Sequence, residues 1–219
     1  MTIQTTSQNT NPFIGIHDEN ILVINRAHLF PQEPALQGLS PIPHTGWTET
    51  ILAKKEFLPR SLMESDPTYK QIIPYLIFTH NGKLFLMQRQ AKTSDTRLQS
   101  KFSLGIGGHI REEDIQVDEN GKTDIANWAQ REFNEEVDYK DSLTIVPIGV
   151  LNDDSNDIGK VHIGFIYLLK GSSPNIKVHE ELQSGTLLTF EECEQFYERM
   201  ESWSKIIFDW LKQNKNMLD

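Results

Sequence analysis

Glu132, Glu135 and Glu136 are the residues of this chain whose type and spacing most plainly could do chemistry. On an α-helix advancing about 100° per residue they fall within an arc of roughly 100°. Carboxylates so spaced repel one another by a few tenths of a kcal/mol per pair, and only Glu135 gains an obvious partner, Arg131, one turn earlier. A hard divalent cation removes that repulsion, because Mg²⁺ takes oxygen ligands and commonly uses a few carboxylates together with substrate phosphate. The plainer alternative is a solvated acidic face. Against it stands the upstream pair Gly107-Gly108, a place where the backbone must bend sharply or approach something closely.

The elements that must hold these residues can be read from hydrophobic period and turn chemistry. Ile21 to Ile24 reads as a short strand, Pro31 to Pro43 as a proline-interrupted loop, and Trp47 to Leu52 as a second extended piece. Ile72 to Thr79 and Lys83 to Gln88 form a hairpin across Asn81-Gly82, a dipeptide that tolerates positive φ at both turn positions. Phe102 to Ile106 is a further strand leading into the glycine pair. After a polar stretch, Asp124 can cap a helix that runs to about Tyr139. On it Ala126, Ala129, Phe133 and Val137 make a packing stripe beside the carboxylates, with Ile125 and Trp128 on the carboxylate azimuth one to two turns earlier. Strands over Leu143 to Leu151 and Val161 to Leu169 follow, joined by an acidic loop. Thr189 to Glu192 is a capping box, and Trp203 to Leu211 continues the helical pattern. Alternation of this kind predicts an α/β layered domain with a mixed sheet.

The run Arg131 to Glu136 (REFNEE), with Gly108 upstream, resembles the Nudix box: a glycine, an acidic residue six positions on, then Arg-Glu-apolar-x-Glu-Glu. Ser103 to His109 looks like the strand leading into that box. The resemblance covers about residues 70 to 200. It implies an α/β/α sandwich over 71–219, with residues 1–70 an N-terminal extension packed on that core. It further implies that Glu132, Glu135 and Glu136 bind Mg²⁺ or Mn²⁺, helped by the Gly107 carbonyl, and that Arg131 orients the carboxylates. In the family the metal polarises a diphosphate, commonly part of a nucleoside diphosphate linked to another moiety. The expected enzyme is therefore a pyrophosphohydrolase, with Glu135 and Glu136 catalytic. A Nudix-fold binding or regulatory module without catalysis is the alternative.

The sequence departs from the pattern in places. Gly108 and Arg131 are 23 positions apart, nine more than in the usual box, which places an insertion around Glu113 to Lys122. Six residues beyond Gly108 stands Asp114 in place of Glu, with Glu112 and Glu113 competing for the role. Asp138 stands where a glycine is expected after the glutamates. The general base is not fixed by the box; Glu180 and Glu181 hold a plausible later position, and Glu181 is taken as the catalytic candidate. For substrate contact, Arg89, Arg97, Lys101 and His109 flank the motif, while His162 reads as a structural or surface residue. Cys193 reads as a packing residue.

Composition sets the outer bounds. The chain has 219 residues, 37% of them hydrophobic and 24% charged, which fits an ordinary globular protein. A formal charge of −10 argues against a nucleic-acid polymer as partner, though not against a small anion met by local cations or a metal. The expected partner is a small-molecule diphosphate, with a homodimer open. No stretch is apolar for long enough to suggest a membrane span. One cysteine excludes an intrachain disulfide and points to a cytoplasmic home.

Overall fold

The computed structural model describes residues 18–32, 34–41, 45–89, 101–115, 125–179 and 182–218. The strands are β1 (Asn20–Asn25), β2 (Gly38–Ser40), β3 (Glu56–Pro59), β4 (Tyr69–His80), β5 (Lys83–Arg89), β6 (Phe102–Ser103), β7 (Gly105–Ile106), β8 (Val137–Asp138), β9 (Leu143–Asn152), β10 (His162–Gly171), β11 (Lys177–Val178) and β12 (Leu182–Leu188). The helices are α1 (Arg26–Leu29), α2 (Thr45–Lys54), α3 (Arg60–Met63), α4 (Ile125–Trp128), α5 (Gln130–Glu136), α6 (Asp157–Val161), α7 (Phe190–Glu194) and α8 (Ser202–Gln213). Short 3₁₀ turns complete the chain. None of the described helices is long and apolar enough to cross a membrane.

The main sheet runs β12-β5-β4-β10-β9-β2, with β1, β3, β6 and β7 attached beside it. Its centre is β4, which pairs in parallel with β10 from Gln71 opposite His162 to Thr79 opposite Lys170. Period-2 alternation sends Ile72, Leu76 and Phe78 to one face and Ile73, Tyr75 and Ile77 to the other. The first face is covered by Ile51 of α2 and by Trp128 and Phe133 of α4 and α5. The second is covered by Phe190 and Cys193 of α7 and by Trp203, Ile207, Phe208 and Leu211 of α8. The result is the expected three-layer α/β/α sandwich around a mixed sheet. Within 18–70, β1 pairs with β4 and β2 with β9, so this part of the chain adds strands to the sheet.

The Asn81-Gly82 hairpin forms as its chemistry requires, with φ of 48° and 73° at the two positions. Thr189 and Glu192 form their capping box. Three local expectations fail. Residues 47–52 are helical: Trp47 meets Phe30 edge-on at 5.8 Å, and Ile51, one turn later, is fully buried. Thr48, Thr50 and Ile51 favour a strand locally, but burial of one helical face overrides that preference. The carboxylate helix is broken at Ala129 into α4 and α5 and ends at Glu136, short of Tyr139; Asp124 lies outside the described residues. Val137 is already extended and pairs with Val178, which stops the helix. Asp138 therefore sits in a strand and needs no left-handed conformation.

Lys70 on β4 is fully buried. Its ammonium donates to Asp154 Oδ1 at 2.7 Å, the Gly159 carbonyl at 2.7 Å and the His162 carbonyl at 3.3 Å. Arg26 grips the same Asp154 carboxylate through both terminal nitrogens. Burial pulls the Lys70 ammonium below its ordinary pKa, and Asp154 pushes the other way. A charge so enclosed is tolerable only while paired. Asp154→Asn is expected to destabilise the protein by about 3–5 kcal/mol, the typical cost of orphaning a buried charge. A urea-unfolding curve with an unchanged midpoint would refute this.

Candidate metal and catalytic site

The site lies where the sheet opens beside β4. On the side away from β10, β4 pairs with β1 through residues 69–71, with β7 through 76–77 and with β5 through 79–80. Residues 72–75 lie between those pairings, and Pro74, which has no N–H to donate, is among them. β7 leaves β4 at Ile106, and the chain rejoins β1 where Leu22 N–H donates to the Ile110 carbonyl. Gly107, Gly108 and His109 span the gap and line a cleft of about 390 Å³.

Both glycines are needed for close approach. A Cβ at Gly107 would stand 2.4 Å from the Pro74 carbonyl oxygen, and one at Gly108 would stand 2.2 Å from Glu132 Oε2. The missing side chain of Gly108 is thus the space the Glu132 carboxylate occupies. Glu135 and Glu136 line the same cleft, as do Arg89 and His109. Glu136 is 8% exposed. Burial raises the Glu132 carboxyl above its usual range, with Arg131 opposing the shift.

Arg131 ties the loop to the helix. Its Nε and Nη2 donate to the two oxygens of Asp114 at 2.8 Å each, a bidentate pair. Nη2 also donates to the His109 carbonyl at 3.0 Å, while Nη1 reaches Glu135 at 2.9 Å and Glu132 at 2.8 Å. Asp114 additionally accepts from the Arg111 backbone N–H. Of the three acidic candidates after Gly108, Asp114 is thus the one Arg131 holds. Its burial would raise its pKa, but the Arg131 hydrogen bonds and the Arg111 N–H outweigh that and lower it. A second depression of about 250 Å³, lined by Asp114, Trp128, Arg131 and Asn134 among others, carries none of the three glutamates.

The fit to a hard divalent cation rests on this geometry. Three carboxylates and the glycine-loop backbone offer an all-oxygen donor set. One of those carboxylates is desolvated, with its space cleared by the absence of a Cβ. Two of them already share a cation, the Arg131 guanidinium.

Not every expected site residue joins the cleft. Lys101 is exposed and is not among the lining residues; its carbonyl accepts the Arg89 N–H. Glu180 and Glu181 lie outside the described residues, as do most of the box insertion and Arg97. Cys193 is buried and its thiol is pushed up to about 12 by that burial, which leaves it inert. Four residues of this region carried no signal in the sequence: Glu64, Gln71, Arg60 and His179. His179 caps the carboxylate helix, its backbone N–H donating to the Glu136 carbonyl at 2.9 Å and its Nδ1 to the Glu135 carbonyl at 3.0 Å. Arg60 and Arg111 both pair with Glu19 along the cleft. His162, read from the sequence as a structural or surface residue, also lines it.

Gly108→Ala should leave the fold intact, because the group it meets is the end of a flexible side chain, yet weaken Mn²⁺ binding by at least about 10-fold. Mn²⁺ titration followed by electron paramagnetic resonance would show it, and unchanged affinity would count against the Gly108–Glu132 contact. The lowered Asp114 pKa contributes stability that is present above the unfolded value, roughly pH 4, and is lost as pH falls through the folded value. Asp114→Asn should therefore lessen the acid dependence of stability below about pH 4. Parallel melts of the two proteins from neutral pH into acid test this.

Comparison with known proteins accords with this geometry. No family model matches the chain. Protein YmaB of Bacillus subtilis (strain 168) is 33% identical over 218 residues, spanning 91% of this chain and 100% of YmaB. Among solved structures, Tm1382, provisionally assigned as a Nudix hydrolase, superposes with a TM-score of 0.71 at 26% identity. That similarity covers 90% of this chain and 100% of Tm1382.

Proposed function

Because the chain belongs to the Nudix hydrolase family, we propose that it hydrolyses a diphosphate bond in a nucleoside diphosphate-linked or related small molecule, using Mg²⁺. The observation that carries this reading is the convergence of Glu132, Glu135 and Glu136 on one cleft with the Gly107-Gly108 backbone. Glu132, Glu135, Glu136 and the Gly107 carbonyl would hold the cation. When bound, Mg²⁺ supplies Lewis acidity toward phosphate oxygens and lowers the pKa of a coordinated water; Mn²⁺ is the expected substitute.

The protein's own part is mostly positioning. Arg131 fixes the facing directions of Glu132 and Glu135 and binds their helix to the glycine loop through Asp114 and the His109 carbonyl. His179 holds the last carbonyls of that helix, so Glu135 and Glu136 are anchored from both ends of α5. Arg89 offers a cation to the anionic substrate; its Nε is buried without a hydrogen-bond partner among the described residues. With Arg60 and Arg111 on the same cleft, it offsets locally the chain's net charge of −10. Glu181, outside the described residues, stays the proposed base that takes the proton from attacking water. His109 belongs to the substrate side of this reading.

Glu136→Gln should lower turnover by at least about 100-fold, since a lost metal ligand costs no less than a lost supporting residue. The measurement is phosphate or nucleotide release with Mg²⁺ or Mn²⁺ across nucleotide sugars, dinucleotides, nucleoside triphosphates and dinucleoside polyphosphates, with circular dichroism as the folding control. Near-normal turnover in the variant would remove Glu136 from the site. Saturable binding by the unmodified protein with no turnover on any of these would replace the enzyme by a binding module.

A further inference from the structure

Away from the glutamate helix, the cleft gathers a second group of ligand-type side chains from three distant parts of the chain. One ligand-type atom from each of Glu64, His109 and His162 lies within 4.8 Å of the other two, and the two imidazole centroids are 5.6 Å apart. Glu64 follows α3, His109 follows the glycine pair, and His162 opens β10. All three line the cleft.

The hydrogen bonds around the two rings set their tautomers. Gln71 Nε2 donates to the Met63 carbonyl at 3.1 Å, which fixes the amide so that its Oε1 faces His109. His109 Nε2 stands 2.6 Å from that oxygen and must therefore donate to it. His162 Nδ1 lies 2.7 Å from the Ile158 carbonyl and must donate there. In the neutral rings the lone pairs then reside on Nδ1 of His109 and Nε2 of His162. Histidine ligands of metals almost always give their other N–H to a carbonyl or carboxylate in this way, which orients the ring and raises its basicity.

We propose that Glu64, His109 and His162 form a second metal site, for a divalent ion that favours imidazole, of the Zn²⁺ class. Two nitrogens and one carboxylate are a borderline donor set, unlike the all-oxygen set on α5. A tetrahedral ion with ligands at about 2.0–2.1 Å needs its donors roughly 3.4 Å apart, so from within 4.8 Å the three side chains close by no more than about 1.4 Å on loading. The carboxylate of Glu64 sits on a rotatable stem and also touches Arg60 at 3.2 Å. Arg60 keeps Glu19 as a partner at 2.8 Å when Glu64 turns to the ion. Three protein ligands leave at least one coordination position facing the cleft, open to water or substrate.

The test uses the tag-free full chain, stripped of metal and titrated with Co²⁺, whose visible ligand-field bands report nitrogen coordination. Glu136→Gln should keep the bands. His162→Ala and, separately, Glu64→Gln should weaken Co²⁺ binding by at least about 10–100-fold, and Zn²⁺ but not Mg²⁺ should displace it from the unmodified protein. Retained bands and affinity in Glu64→Gln and His162→Ala would overturn the site, as would loss in Glu136→Gln alone or no such bands in the unmodified protein. If His162→Ala does not fold, Glu64→Gln decides. Turnover is not read, so failure here leaves the hydrolase assignment standing.

Discussion

The incomplete pairing of β4 on one side is the constraint from which the rest of the structure follows. A central strand must satisfy its backbone groups on both sides, and β10 does so along one side over a long parallel register. The other side is shared among β1, β7 and β5, with a gap over 72–75. Pro74 lowers the cost of that gap, since it brings one fewer N–H to satisfy. Backbone can then enter the gap only without side chains, which is what Gly107 permits beside the Pro74 carbonyl. From that entry the loop runs over the carboxylate helix, and Gly108 leaves the volume that Glu132 fills. The cleft is thus the opening in the sheet itself, and its rim is built from strand ends on both sides of the opening.

Charge organises what stands in that opening. Three glutamates close together on a chain of net charge −10 would repel one another strongly once desolvated. Arg131 reduces the repulsion by touching two of them, while Asp114 fixes the guanidinium through a bidentate pair. The same guanidinium reaches the His109 carbonyl, so the charge arrangement and the loop path are one structure. Lysine could carry the charge here, but as a point cation it could not make this planar set of contacts.

What could be read in the sequence was what depends on short range. The Asn81-Gly82 turn, the Thr189 capping box and the Arg131 to Glu136 run each specify themselves within a few residues. The misread segments are those that distant packing decides. Trp47 and Ile51 are helical because Phe30 and the face of β1 lie beside them. The break at Ala129 separates the azimuths of α4 and α5, which lets Ile125 and Trp128 enter the core although α5 turns its carboxylates to the cleft. The end at Glu136 depends on β11 and His179, some forty residues later. The meeting of Glu64, His109 and His162 is the extreme case, since it requires the parallel β4–β10 register, which no local pattern encodes.

That register also explains why the two donor sets differ in kind. Gln71 on β4 stands opposite His162 on β10, so the partner of His109 and the second imidazole are neighbours across one rung of the ladder. Lys70, one residue earlier, holds the His162 carbonyl and the Asp154 loop, which keeps a cation beneath this end of the cleft. Burial first, then Arg60 and Arg111, hold the His109 imidazole well below its ordinary pKa and so neutral, the form that ligates a metal. At the other end Arg131 is already divided among Asp114, Glu132 and Glu135, and the balance is negative. The two donor sets thus differ by what the fold delivers to each end: α5 presents three carboxylates to the cleft, and the β4–β10 ladder sets His162 beside the Gln71 that holds His109.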